Sequence, residues 1–168
     1  TSGQFVRAKG KVQSYQGNLQ IILSKVTPED GEELNLSDFM PGPTVETDHL
    51  VTRLNEILGS VSDRRLRTLM ELYLHDRGLM DGLTRCPAGV KLHHAYHGGL
   101  LEHIVNLLET ADRVVDLYPT VNRDLLLVGV FLHDLGKVRE LGFDTTFIYT
   151  DEGQLIGHLV MAVQMLEA

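Results

Sequence analysis

A chain of 168 residues, 43% of them hydrophobic, is long enough for one good core and a smaller appended unit. Its most apolar run, Leu125 to Leu132, is far too short to cross a bilayer, so no membrane span is expected. The formal net charge of −8 argues against a generally basic nucleic-acid-binding surface, while the lone Cys86 excludes an intrachain disulfide and fits a reducing, cytoplasmic setting.

The first residues, Thr1-Ser2-Gly3-Gln4, have neither a basic n-region nor an apolar h-region and read as an internal start rather than a signal peptide. Phe5 to Val12 and Leu19 to Val26 are β-type runs joined around Gln16-Gly17-Asn18, a turn-forming sequence, which predicts a hairpin. Val6, Ala8, Gly10 and Val12 alternate with Arg7, Lys9 and Lys11, so one face can pack while the other stays charged. Before Glu29 the chain carries Arg7, Lys9, Lys11 and Lys25 and no acidic residue. Such lysines commonly line a solvated strand face; contact with nucleic acid is the alternative use.

From Pro28 to Pro43 the sequence turns acidic and irregular, as a linker does. Thr47 or Asp48 is expected to cap a helix through about Leu58, and Ser62 or Asp63 another through about His75. Leu66, Leu69, Met70, Tyr73 and Leu74 form the core face of the second, and His75 reads as a helix-end residue. A short helical or irregular stretch leads to Cys86-Pro87 and then to a histidine-rich approach, His93-His94-Ala95-Tyr96-His97, closed by Gly98-Gly99. His97 reads as a surface histidine. In the next helix Leu100, His103, Ile104, Leu107, Leu108 and Ala111 recur at three- and four-residue steps, which turns His103 inward.

Beyond a turn containing Pro119, Asn122 is placed to cap a helix whose residues 125 to 132 are apolar on every face, which predicts burial on all sides. His133 and Asp134 end it. A desolvated carboxylate costs several kcal/mol unless it is paired, hydrogen-bonded or bound to a metal, so adjacent His and Asp in this setting ask for a partner. With His103 facing them from the neighbouring helix, a divalent cation is the obvious one. Phe143 to Ile156 reads as a small hairpin turning at Asp151-Glu152-Gly153 and returning the chain to His158.

Leu101-Glu102-His103, the run Leu132-His133-Asp134-Leu135-Gly136-Lys137 and Gly157-His158 together resemble the HD-domain metal-dependent phosphohydrolases over about residues 90 to 168. Residues 93 to 103 and 149 to 158 look, more narrowly, like the YhaM-type 3′-to-5′ exoribonucleases, in which an OB-fold precedes the HD domain. The resemblance implies a mainly α fold: an HD-domain helical bundle with an N-terminal β-hairpin that is the remnant of an OB-fold. Residues 1–40 would be a partial nucleic-acid-binding segment with its linker, and 44–168 a C-terminally incomplete HD domain. Its metal ligands map onto His103, His133 and Asp134, with His158 added in members that hold two ions.

Nitrogen and carboxylate ligands without cysteine suit Mn²⁺, the ion we expect, and also Fe²⁺, Co²⁺, Ni²⁺ or Zn²⁺, as one ion or two. Asp134 would bridge a pair of ions and so share in catalysis. Lys137 would contact the scissile phosphate, or else complement a helix C-terminus. His93, His94, Gly98 and Gly99 form either a phosphate-side wall at a helix N-terminus or a tight turn under the core. Tyr15 can stack on a base or cover a barrel end. The expected activity is 3′-to-5′ exonuclease action on single-stranded RNA or DNA, and a homo-oligomer is compatible with the sequence. An HD-type nucleotidase or cyclic-nucleotide phosphodiesterase is the alternative enzyme. A non-catalytic nucleic-acid-binding or signalling module is the alternative outside enzymes.

Overall fold

A computed structural model describes residues 4–29, 34, 39, 42–43, 45–91, 94–143 and 146–167. The chain divides into two compact units, Thr1–Phe39 and Met40–Ala168. Most of the expected linker, and His93, lie outside the described residues. Among the described residues no helix is long and apolar enough to cross a membrane.

The first unit is an antiparallel ribbon of β1 (Val6–Tyr15) and β2 (Asn18–Pro28). Gln16 and Gly17 both take positive φ, 50° and 80°, the two-residue turn whose twist matches that of the strands. Lys9 pairs with Lys25 but Gly10 pairs with Leu23, so Ser24 is an extra residue and donates its hydroxyl to the Lys9 carbonyl at 3.0 Å. Gly10 is required at this bulge, because a Cβ there would collide with the Ile22 carbonyl. Cross-strand pairing sorts Ala8, Val12, Ile21, Leu23 and Val26 to one face and Arg7, Lys9, Lys11 and Lys25 to the other. The alternation is as expected, yet no residue of either strand is buried within the unit.

The second unit is helical: α1 (Thr47–Gly59), α2 (Arg64–His75), α3 (Arg77–Arg85), α4 (Gly99–Val114), α5 (Arg123–Leu132), α6 (Lys137–Glu140), α7 (Asp151–Ile156) and α8 (His158–Glu167). The two-residue strands β3 (Leu141–Gly142) and β4 (Ile148–Tyr149) pair between α6 and α7. The mainly α class with an N-terminal hairpin is therefore what the chain adopts. α4 packs against α1, α3 and α5, and Leu54, Leu58, Leu83, Leu100, Ile104, Leu108, Leu127 and Phe131 close the core between them.

Capping follows the sequence at two of the three expected helix starts. Asp63 accepts from the Arg65 and Leu66 amides and Asn122 from that of Leu125, whereas α1 starts after Glu46 without a side-chain cap. Asp124, inside the first turn of α5, accepts from the Ser62 amide and hydroxyl and from the Asp63 amide, tying α5 to the α1–α2 turn.

Two expectations are corrected. α5 is not buried on all sides: Leu127, Val128 and Phe131 are buried, but Leu125 is 58% exposed and Gly129 faces solvent, because no described element packs on that side. The segment after Gly142 is also not one hairpin turning at Asp151. The Thr150 hydroxyl accepts from the Gly153 amide at 2.9 Å, so residues 151–153 open α7 instead, and the strand pairing ends at Tyr149.

Candidate metal centre

His103 comes from the buried face of α4, His133 follows the last residue of α5, and Asp134 follows it into the turn before α6. His158 is the first residue of α8. Gly136 lets α8 reach this turn, since a Cβ there would strike the His158 carbonyl. Gly157, at φ 79°, supplies the left-handed bend that separates α7 from α8 and aims His158 at the turn.

The four side chains converge. Asp134, 6% exposed, lies with Oδ2 at 3.2 Å from His133 Nε2 and 3.5 Å from His103 Nε2, and with Oδ1 at 3.5 Å from His158 Nε2. Lys137 Nζ donates to Asp134 Oδ2 and to the Ala88 carbonyl, both at 2.8 Å. Burial pushes the Asp134 carboxyl up, but hydrogen bonding with His103 and Lys137 and the neighbouring charge of Lys137 and His133 more than reverse this. The group is held well below the usual carboxylate range.

The far sides of two imidazoles fix where their protons sit. His133 Nδ1 is 2.7 Å from the Val130 carbonyl, and His158 Nδ1 is 2.9 Å from Glu140 Oε1, which also accepts from the His158 amide at 3.0 Å. A carbonyl and a carboxylate accept only, so both Nδ1 atoms carry hydrogen. In the neutral imidazoles both Nε2 lone pairs then point at the carboxylate of Asp134. Lone pairs meeting a carboxylate at these distances repel unless a proton or a metal cation lies between them. An imidazole whose outer nitrogen is bound to an acceptor is also the arrangement that orients a metal ligand. Ligand atoms of His103, His133 and Asp134 all lie within 4.8 Å of one another, and the set fits a borderline divalent ion. Cys86 is no competitor, because burial pushes its thiol up to about 12.

His94 stands beside the centre. Its ring lies 5.6 Å from that of His103 and 5.7 Å from that of Tyr96, its φ is 51°, and its buried Nδ1 has no hydrogen-bond partner among the described residues. The Ala88 and Tyr96 amides donate to its carbonyl, and Gly99 is needed because a Cβ would collide with that oxygen. The Gly99 and Leu100 amides at the start of α4 already donate to the Tyr96 and Cys86 carbonyls. This supports the tight-turn reading of Gly98 and Gly99 over the anion-binding one.

Lys137 opens α6 rather than closing α5, and its partners are Asp134 and the Ala88 carbonyl. His97 and His75 are bonded to the Arg85 and Glu71 carbonyls and do not join the cluster. Two buried acids carry roles that sequence reading did not assign. Glu140 orients His158, and Glu102 accepts from the Tyr96 hydroxyl at 2.6 Å, tying the His94–Gly98 loop to α4. Neither has a sequence signal of its own beyond a carboxylate near a histidine motif, Glu102 beside His103 and Glu140 shortly after His133-Asp134.

Comparison with known proteins finds similarity along almost the whole chain. The 3′-5′ exoribonuclease YhaM of Listeria welshimeri is 37% identical over 164 residues, 96% of this chain and 51% of that protein. The Bacillus subtilis protein of the same name is 33% identical over the same shares. That of Geobacillus sp. strain WCH70 is 32% identical over 94% of this chain and 48% of its own length. The chain thus spans about half the length of the curated relatives it matches. No family model and no solved structure matches it. The resemblance to YhaM-type exoribonucleases, first carried by two short segments, extends over both units.

Proposed function

We propose that this chain carries the centre of an HD-type, metal-dependent phosphodiesterase that removes nucleotides from the 3′ end of single-stranded RNA. The observation that carries the reading is the convergence of three imidazole Nε2 atoms on one buried carboxylate, two of them with their outer nitrogens committed to acceptors. His103, His133, Asp134 and His158 hold one or two divalent ions, Mn²⁺ in our reading. When bound, the metal lowers the pKa of water and offsets charge on the phosphoryl oxygens.

The chain's own residues do the rest. Glu140 and the Val130 carbonyl keep His158 and His133 in the tautomer that offers Nε2. Lys137 Nζ, held by the Ala88 carbonyl, has a proton to direct at a phosphate oxygen once a cation takes over Asp134. His94 flanks the substrate side of His103. Lys9, Lys11 and Lys25 of the ribbon offer three cations for the sugar–phosphate backbone, while Arg7 is committed to Glu29 at 2.6 and 2.8 Å.

Elemental analysis and a 5′-labelled single-stranded RNA test the reading together. The expected result is bound transition metal, lost in His133→Ala, and a ladder that shortens from the 3′ end in Mn²⁺. Unchanged metal content in a folded His133→Ala protein would refute the centre. Rapid hydrolysis of mononucleotides with no action on the oligonucleotide would replace the exonuclease reading with a nucleotidase.

A further inference from the structure

A groove of about 400 Å³ lined by Gly89, Val90, Lys91 and Tyr149 takes no part in the centre described above. Its size lies within the roughly 300–1,000 Å³ of small-ligand sites. Hydrogen bonds tie the neighbours of its lining residues to the metal centre. Ala88, next to Gly89, accepts from Lys137 Nζ, and Lys137 reaches Asp134. Thr150, next to Tyr149, donates its amide to the carbonyl of Glu140, the residue that orients His158.

The chemistry of the lining is that of a single-strand binder. Lys91 is exposed and meets no carboxylate among the described residues, in a chain whose net charge is −8. Tyr149, 47% exposed, lines the same groove. A cation and an aromatic ring lining one groove match a phosphate and a base of one nucleotide, and stacking accepts every base.

We infer that this groove holds one nucleotide of the strand being degraded, its base stacked on Tyr149 and its phosphate paired with Lys91. The inference rests on the single-strand reading above. It assigns to the helical unit a substrate contact independent of the ribbon and explains how a strand can be held next to the centre without sequence being read.

The test is fluorescence anisotropy with a fluorescein-labelled oligouridylate in EDTA, where nothing is hydrolysed. Tyr149→Ala should weaken binding roughly tenfold, and Tyr149→Phe, which keeps the ring face, should bind as the parent does. Lys91→Glu, on an exposed loop residue, should weaken binding and flatten its salt dependence; it keeps the test decisive should Tyr149→Ala disturb the β3–β4 pairing. Equal affinity in the parent, Tyr149→Ala and Lys91→Glu proteins overturns the groove assignment, whatever the nuclease assay shows. A parent that binds the oligonucleotide and loses affinity in these variants, yet shortens no RNA in Mn²⁺, would keep the groove and sink the exonuclease reading. A parent that binds no oligonucleotide overturns the groove as well.

Discussion

In the helical unit Leu54, Leu58, Leu100, Leu108 and Phe131 are completely buried, whereas in the ribbon Val12, Leu19 and Ile21 stand 66%, 81% and 60% exposed. The ribbon keeps its shape through its ladder, a positive-φ turn and a bulge; the helical unit keeps its shape through packing. The difference matches what each is asked to do in our reading. Bond cleavage needs reacting groups held to a fraction of an ångström, which a close-packed interior supplies. Tracking a flexible strand needs exposed charge and ring faces rather than a close-packed interior. Substitutions in the two units should therefore fail in different ways, large and chemical in one, small and salt-dependent in the other.

The largest difference is expected at Lys137. It cannot bind a divalent cation while protonated, so Lys137→Ala should leave metal content near that of the parent while lowering turnover by about 10²-fold or more, the scale of one transition-state charge contact. Loss of the bonds to Asp134 and Ala88 will also lower the melting temperature. Turnover, metal stoichiometry and melting temperature measured on one preparation separate the effects. Normal turnover with only a lowered melting temperature would remove Lys137 from the chemistry and leave it as a strut.

Next comes a purely structural group of the same unit. The hydrogen bond from the Ser62 hydroxyl, outweighing burial, together with the Asp63 and Ser62 amides and the charge of Arg123, holds the Asp124 carboxyl below its ordinary value. A depressed folded-state pKa means stability that is complete above the unfolded pKa of about 3.9 and is lost as pH falls through the folded value. Asp124→Asn should cost roughly 1.5–3 kcal/mol at neutral pH, the scale of hydrogen bonds to a charged group. The gap between the two melting temperatures should then close on acidification below pH ~3.9. A gap that stays constant down to strong acid would show that the charge of Asp124 contributes nothing.

Much of this was legible in the sequence, and the reasons are local. The periodicity of Leu100, Ile104 and Leu108 places His103 on an inward face, and Asp63 and Asn122 announce the helices they cap. What was not legible depended on contacts that only the folded chain makes. Whether an all-apolar helix such as α5 is covered on every side is decided by its neighbours, not by its own composition. Asp151-Glu152-Gly153 carries turn residues, and only the Thr150 cap turns it into a helix start. The helix-end role stayed open for Lys137 beside the phosphate role because the sequence does not say that α5 stops at Leu132 and α6 begins at Lys137. Glu140 and Glu102 gain their roles from His158 and Tyr96, which only the fold brings to them.

The smallest effect, and the sharpest contrast with the helical unit, is expected on the ribbon. Lys9 lies directly across from Lys25, and like charges in that position destabilise a strand pair by a few tenths of a kcal/mol to about 1. If these lysines only solvate a strand face, Lys9→Ala should relieve the repulsion, raise the melting temperature slightly and leave RNA affinity untouched. If they hold a phosphate backbone, the same change should still relieve the repulsion in the free protein. It should then weaken single-stranded RNA binding a few-fold and reduce the slope of log affinity against log salt by about 0.7 per lysine removed. Stability and affinity would thus move in opposite directions at one residue, which packing alone cannot produce. Titrating the parent and Lys9→Ala proteins with RNA at several salt concentrations, beside their melting curves, separates the two uses. An unchanged salt slope would return the ribbon to the role of a solvated sheet.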